Sequence, residues 1–118
     1  MNIDAQVRIE RDGVLLAETS RPVALHEGSL PTRYYLPADD VRMELLEPTD
    51  SRTHCPFKGD ATYWSARIGD EVVGDIAWTY REPIEGAEKI RGLICFFNEK
   101  VDITVDGQTL ARPNTQWS

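Results

Sequence analysis

The sequence has few cysteines and few basic residues, and each shortage excludes a class of protein. Its two cysteines, Cys55 and Cys95, are too few for the disulfide framework of a small secreted scaffold, so we expect free thiols in a reducing compartment. The 13 basic and 20 acidic residues leave a net charge of −7, which repels phosphate backbones and anionic lipid. We therefore expect a partner that is a small molecule or is cationic, and neither nucleic acid nor a membrane.

Long apolar runs are also missing. The chain has no stretch of about 18 apolar residues, which a membrane-spanning helix would need. Residues 1–6 lack the basic start and apolar segment of a secretory signal, so we expect a cytoplasmic protein. The 118 residues suit one domain (1–118), with a core at about 5–110 and a frayed tail at 113–118.

Strand patterns cover most of the chain and predict a mostly β fold, a single compact antiparallel domain with at most one or two short helices. Asp12-Gly13 supplies the positive φ angles of a tight hairpin turn. The predicted hairpins join residues 6–10 to 14–19, 62–68 to 72–80, and 93–97 to 101–105.

The register of the second hairpin decides which aromatic residues share a face. With a three-residue loop, Gly69-Asp70-Glu71, Trp64 pairs with Ile76 and Thr62 with Trp78, which gathers the apolar residues on one face. A two-residue loop, Gly69-Asp70, is also chemically reasonable and would move each partner to the opposite face. Both tryptophans are assigned to the core.

Three further segments have recognisable patterns. Alternating apolar residues predict a strand over 41–45, after a turn at 37–40. A short helix is predicted between Pro83 and Gly92, with the glycine as its left-handed cap. Residues 47–60 connect two apolar runs and are interpreted as a long functional loop.

That loop contains the main candidate for chemistry. Cys55 is the candidate catalytic residue, because a thiolate is a nucleophile and the neighbouring cations Lys58, Arg52 or a protonated His54 would favour it. The alternative is that Cys55 is a small buried apolar residue in a loop shaped by Gly59. The other candidates are aromatic or charged residues for a ligand pocket. They are Lys58, Tyr35, Arg42, Tyr63, Asp75 and Tyr80.

Several elements occur in an order that resembles a known family: Cys55-Pro56, Lys58-Gly59 and Ala77-Trp78-Thr79-Tyr80, with Tyr34-Tyr35 upstream. The chain resembles the bacterial and fungal family catalogued as domain of unknown function 427 (DUF427) over nearly all of residues 7–107. The resemblance implies an antiparallel β domain similar to the Mss4-like folds, barrel-like or sandwich-like. It also brings a nucleotidyltransferase label, with no established activity.

The residues do not favour metal chemistry. Nucleotidyl transfer needs carboxylates that hold paired metal ions, but no Asp-x-Asp follows Gly28-Ser29, and Asp39 and Asp40 would point apart on an extended backbone. Structural zinc needs four ligands in closely spaced pairs, and His54-Cys55 is the one adjacent pair. We expect neither a metal nor a cofactor.

Three hypotheses about function follow. The preferred hypothesis is a small β domain that binds a small, anionic molecule between the Cys55–Gly59 loop and the aromatic residues. The alternative is a small enzyme that uses Cys55 as nucleophile or redox thiol. A protein-interaction domain that offers an edge strand is the third hypothesis.

Overall fold

Two antiparallel sheets make up the fold. The computed structural model describes residues 2–118, which form ten strands. The strands are β1 (Val7–Arg11), β2 (Val14–Thr19), β3 (Val23–Leu25), β4 (Arg33–Leu36), β5 (Leu46–Cys55), β6 (Gly59–Ile68), β7 (Glu71–Tyr80), β8 (Ile94–Phe96), β9 (Asp102–Val105) and β10 (Gln108–Thr109). The first sheet has the order β10-β9-β1-β2, and the second has the order β3-β4-β8-β7-β6-β5. The mostly β, antiparallel fold expected from the sequence is confirmed.

The main core lies between the sheets, since one continuous cluster of buried apolar side chains draws on both. Val7 and Ile9 of β1 belong to this cluster together with Trp64, Ile76 and Phe96 of the second sheet, and each is at most 8% exposed. Alternation along β1 directs Val7 and Ile9 inward, as expected for a sheet with one buried face. This core is what holds the two sheets together.

A second apolar cluster lies on the other face of the six-stranded sheet, which we call the outer face. No strand among residues 2–118 covers this face; three irregular segments lie over it instead, at 26–32, 83–92 and 113–118. The cluster consists of Val23, Tyr35, Ala61, Trp78, Tyr80, Ile90, Cys95 and Phe97. Loops cover a face less completely than a sheet does, and this difference leaves room for cavities.

The first predicted hairpin is confirmed. Arg11 pairs with Val14, so that Asp12 and Gly13 alone form the loop, with φ angles of 51° and 80°. Two consecutive positive φ angles match the right-handed twist of the flanking strands, as in type I′ turns.

The second hairpin forms, but the preferred register was wrong. Ile68 pairs with Glu71, so the loop is the two-residue Gly69-Asp70, and Tyr63 rather than Thr62 lies opposite Trp78. A bulge also interrupts the pairing between Trp64 and Ala66. Because side chains alternate between faces, Trp64 enters the main core and Trp78 the outer-face cluster. Both tryptophans are buried, as expected.

Residues 47–60 are not a long loop. Residues 46–55 are strand β5, which pairs with β6, and only 56–58 connect the two strands. As the edge strand of its sheet, β5 is mostly exposed and therefore lacks the apolar alternation of a half-buried strand. The strand predicted over 41–45 is also wrong: Met43–Leu45 is a 3₁₀ turn that packs its half-buried apolar residues on the core.

Two later predictions are corrected as well. The expected helix between Pro83 and Gly92 is reduced to one 3₁₀ turn, Glu88–Ile90, although Gly92 does have a positive φ of 68°. The third hairpin does not exist, because β8 pairs with β4 and β7 while β9 pairs with β1 and β10. The chain crosses from the six-stranded to the four-stranded sheet between β8 and β9, so these two strands are neighbours in sequence but not in a sheet.

Two substitutions in strand β7 test which of its residues lie in the main core. Ile76→Ala should lower the free energy of unfolding by roughly 2–5 kcal/mol, as for a large buried aliphatic residue. Val72→Ala, on the same strand but 49% exposed, should cost less than about 1 kcal/mol. Urea titrations of both variants provide the measurement, and equal losses would contradict the placement of the core.

Candidate functional site

The strand register builds a row of side chains across the outer face. Tyr35 of β4 pairs with Cys95 of β8, Cys95 with Trp78 of β7, and Trp78 with Tyr63 of β6. Directly paired residues in a sheet point to the same side, so these four side chains share one face. Tyr80, two residues after Trp78, joins them by the same alternation.

A cavity of about 260 Å³ opens above this row, and we call it the aromatic pocket. It is lined by Glu27, Leu30, Arg33, Tyr35, Thr53, Cys55, Lys58, Tyr63, Trp78, Tyr80, Phe97 and Trp117. The structure therefore brings five of the sequence-predicted site residues into one cavity. These five are Cys55, Lys58, Tyr35, Tyr63 and Tyr80.

Lys58 is a buried cation in the wall of this pocket. It follows the end of β5, and Gly59, with a φ of 118°, turns the chain into β6 while segment 82–84 passes close by. The Lys58 Nζ donates to both carboxylate oxygens of Glu27, at 2.6 and 2.5 Å. Because the Lys58 residue is only 8% exposed, its ammonium needs such a partner to offset its lost hydration.

Arg33 is the second buried cation, and aromatic rings surround it. Its guanidinium donates to both carboxylate oxygens of Glu99, at 2.7 and 3.1 Å, and to the side-chain carbonyl of Asn98 at 2.9 Å. It also lies 5.5–5.6 Å from the ring centres of Trp78, Phe97 and Trp117, within cation–π range. These hydrogen bonds hold the Arg33 guanidinium in one position in the pocket wall.

Burial by itself raises the pKa of Glu99, but hydrogen bonds from Arg33 and Thr115 outweigh this effect, so the pKa lies below its usual value. Burial raises the pKa of Tyr35 and of Tyr80 well above the ordinary value for tyrosine. A tyrosine with the ordinary pKa of about 10 is already neutral at physiological pH, and the rise keeps both phenols neutral and able to donate hydrogen bonds at still higher pH.

The two cysteines have different surroundings. Cys95 is fully buried, and burial raises the pKa of its thiol. Cys55 is half-buried at the pocket wall, where the Lys58 Nζ lies 3.8 Å from its Sγ. His54 does not assist it: the imidazole is exposed and pairs with Asp60 at 2.7 Å, on the opposite side of the strand from Cys55.

Two predicted site residues lie outside the aromatic pocket. Arg42 is exposed, and its backbone N–H bonds to Leu16 next to the main core. Asp75 lines a neighbouring depression of about 380 Å³. Its carboxylate accepts hydrogen bonds from Thr49 and Ser51, at 2.7 and 2.5 Å, and so is turned away from Lys58 and Arg42. Asp75 has a φ of 45° and lies at the bulge in β7, so its backbone geometry decides its direction.

Sequence reasoning missed Glu27, Arg33, Phe97 and Trp117, which also line the pocket. The tail at 113–118 contacts the outer face, where Thr115 donates to Glu99 at 2.5 Å and the Trp117 ring lies 6.2 Å from Phe97. A tryptophan in an otherwise polar tail was the one available signal, since large aromatic residues usually find an apolar surface.

Metal-binding groups remain dispersed. Within residues 2–118, no three His, Cys, Asp or Glu side chains are grouped as a metal ion would require. His26, the other histidine, lies 3.2 Å from the Thr32 hydroxyl, and Asp40 accepts a hydrogen bond from Thr19 at 2.6 Å. Over the same residues, none of the helices has the length and apolar character that a membrane crossing demands.

The fold and the site together define a small two-sheet β domain with an aromatic pocket on its outer face. A family model described as a domain of unknown function (DUF427) matches residues 1–107, so the chain belongs to this family. The resemblance inferred from the sequence is thereby confirmed, whereas the Mss4-like assignment stays a prediction. Comparison with the curated proteins gave no match. Trp117 lies beyond the matched residues.

The buried Arg33–Glu99 pair gives a pH-dependent prediction. Glu99→Gln should destabilise the fold by roughly 3–5 kcal/mol at pH 7, because it leaves the Arg33 charge buried without a counter-ion. The folded pKa of Glu99 is lowered, so its contribution is present above the unfolded value of about 4.3 and is lost as the pH falls through the folded pKa. The difference between wild type and variant should therefore shrink below about pH 4.

Urea titrations between pH 7 and pH 3 measure this difference. Glu47→Gln is the matched control, since Glu47 pairs with Arg67 on the surface with both side chains more than half exposed, and it should cost less than about 1 kcal/mol. A Glu99→Gln penalty that does not change with pH would contradict the ionised pair.

The two thiols give a prediction about labelling. In the folded protein at pH 7.5, iodoacetamide should label Cys55 and spare Cys95, because Cys95 is buried and its thiol pKa is raised. Peptide mass spectrometry measures both rates, and denaturant should make them equal. Similar rates in the folded protein would mean that Cys95 is accessible.

Proposed function

We propose that the aromatic pocket binds a small organic molecule with a flat ring and polar substituents. The strongest support is that one cavity is lined by Cys55, Lys58 and three tyrosines. These five are predicted site residues, selected from the sequence by the chemistry of their side chains alone. Apolar and aromatic walls with a few placed polar groups are typical of small-molecule sites. A volume of about 260 Å³ suits a metabolite-sized ring rather than a polymer.

The aromatic walls favour a flat ligand. Trp78 packs edge-on to Tyr35 at 6.3 Å between centroids, and Phe97 lies 4.4 Å from Trp78 and nearly parallel to Tyr63. Such ring surfaces stabilise another ring by offset stacking or edge contacts, each worth about 0.5–1.5 kcal/mol beyond burial.

Charge balance limits the charge of the ligand. Lys58 is neutralised by Glu27 and Arg33 by Glu99, so neither cation is free to hold a doubly charged group such as a phosphate. The protonated Tyr35 and Tyr80 hydroxyls offer neutral hydrogen bonds instead. A neutral or singly charged ring compound therefore fits the pocket better than a doubly charged one.

One observation favours thiol chemistry as a second candidate function. Cys55 is half-buried in the pocket wall, and the Lys58 ammonium lies 3.8 Å from its sulfur, where it faces any anion that forms during attack by this thiol. No histidine faces this thiol among residues 2–118, so a proton acceptor would have to come from the substrate or from Glu27. Unusually fast labelling of Cys55 would favour this candidate.

The three tryptophans allow a direct test of the binding proposal. Trp78 and Trp117 line the pocket, while Trp64 lies in the main core on the other face of the sheet. Titration with nicotinamide and 4-hydroxybenzamide should shift the indole N–H signals of Trp78 and Trp117 in a ¹⁵N NMR spectrum and leave that of Trp64 unchanged. Trp→Phe variants assign the three signals.

The comparison of Trp78 and Trp117 with Trp64 separates binding in the aromatic pocket from a change of the whole protein. Absence of any shift with either compound up to its solubility limit would contradict a pocket for ring compounds. A shift of all three signals together would indicate a global change rather than binding at this site.

A further inference from the structure

The Lys58–Glu27 pair stands between the aromatic pocket and a second cavity. This apolar chamber has a volume of about 250 Å³ and is lined by Val23, Leu25, Glu27, Phe57, Lys58, Gly86, Ala87, Lys89 and Ile90. Glu27 and Lys58 line both cavities. Two spaces of similar size therefore adjoin at a single ion pair on the outer face.

We infer that one ligand occupies both cavities and that its carboxylate replaces Glu27 on Lys58. The ligand class is a monocarboxylate whose acid group is flanked by an aromatic ring on one side and a short apolar group on the other. The ring enters the aromatic pocket and the apolar group enters the chamber. This inference rests on the proposed function and adds the class of ligand.

The contacts of the two charged residues support an exchange of carboxylates. Lys58 is 8% exposed and lies in the short turn between β5 and β6, where its backbone is hydrogen-bonded to Cys55 and Ile84, whereas Glu27 is about one-third exposed on the irregular segment 26–32. Glu27 can therefore turn into solvent while Lys58 stays in place. A ligand carboxylate restores both oxygen contacts, at 2.5–2.6 Å, that Glu27 makes now.

The same pair selects against a neutral group in the place of the Glu27 carboxylate, although a neutral ring can still enter the aromatic pocket beside the intact pair. A neutral group that displaced Glu27 would leave a buried ammonium without a counter-ion, which is strongly unfavourable. One carboxylate replacing another leaves the charge balance unchanged, so the burial of apolar surface can drive binding. A second cation, Lys89, also lines the chamber, so its walls carry two positive charges and one negative charge in a protein of net charge −7.

The walls of the chamber account for the apolar group. Val23, Leu25 and Ile90 present aliphatic side chains, and the Phe57 ring at its edge is 78% exposed. An apolar group of a few carbons would cover this exposed ring as well as fill the chamber. Each buried methylene increases affinity roughly fourfold, because it removes apolar surface from water.

Three N-acyl phenylalanine probes test the class. N-butanoyl-phenylalanine has the central carboxylate, the ring and the apolar group; its carboxamide lacks the charge; and N-acetyl-phenylalanine shortens the apolar group. We expect the butanoyl acid to bind about tenfold or more tightly than its amide and, because it has two more methylenes, about fifteenfold more tightly than the acetyl acid. The indole N–H shifts of Trp78 and Trp117 report the dissociation constants.

Variants locate each part of the ligand. Glu27→Gln should raise the affinity for the acid several-fold and not that for the amide, because it removes the competing carboxylate. Glu85→Gln is the matched control, an exposed acid in the neighbouring segment with the same change in charge. Lys58→Met should abolish the preference for acid over amide, and Ala87→Leu, which fills the chamber, should abolish the effect of chain length.

The outcomes separate the two proposals. Equal affinity for acid and amide, with shifts of Trp78 and Trp117, would overturn the carboxylate exchange and leave the aromatic pocket as a binding site. A preference for the acid without an effect of chain length would overturn the occupation of the chamber. Absence of any shift with all three probes would overturn this inference, and nicotinamide binding would then decide whether the pocket proposal survives.

Discussion

The register between β6 and β7 is the constraint on which the outer face depends. The two-residue loop Gly69-Asp70 and the bulge at Asp75 together place Tyr63 opposite Trp78, and the pairing of Trp78 with Cys95 continues the row to Tyr35. A shift of one residue would send each side chain of one strand to the opposite face. The aromatic pocket would then lose part of its row of aromatic side chains. The main core would receive the hydroxyl of Tyr63 without a hydrogen-bond partner.

The outer face combines apolar burial with two compensated charges. Arg33 lies beneath three rings and is neutralised by Glu99, while Lys58 is neutralised by Glu27. The two pairs differ in their freedom, because Glu99 is completely buried and Glu27 is about one-third exposed on a loop. The first pair therefore belongs to the architecture, whereas the second can exchange partners without unfolding its surroundings.

Particular residues show how far sequence patterns reach. Asp12-Gly13 located a hairpin because its turn chemistry is local, and Cys55, Lys58 and Tyr80 were recognised as site residues by their chemical type. Strand β5 was interpreted as a loop because an exposed edge strand has no apolar alternation. Arg42 and Asp75 were assigned to the pocket without knowledge of direction, and the 3₁₀ turn and the bulge turn them elsewhere.

The sequence by itself determined the class of fold, the first hairpin, the burial of Trp64 and Trp78, and the residue types from which a site could be built. These properties follow from composition and from periodicity over a few residues. Only the tertiary structure decided that β8 and β9 belong to different sheets, that Arg33 meets Glu99, and that Trp117 reaches the pocket. Such contacts join residues far apart in the chain, and their energies depend on packing and desolvation that no local pattern encodes.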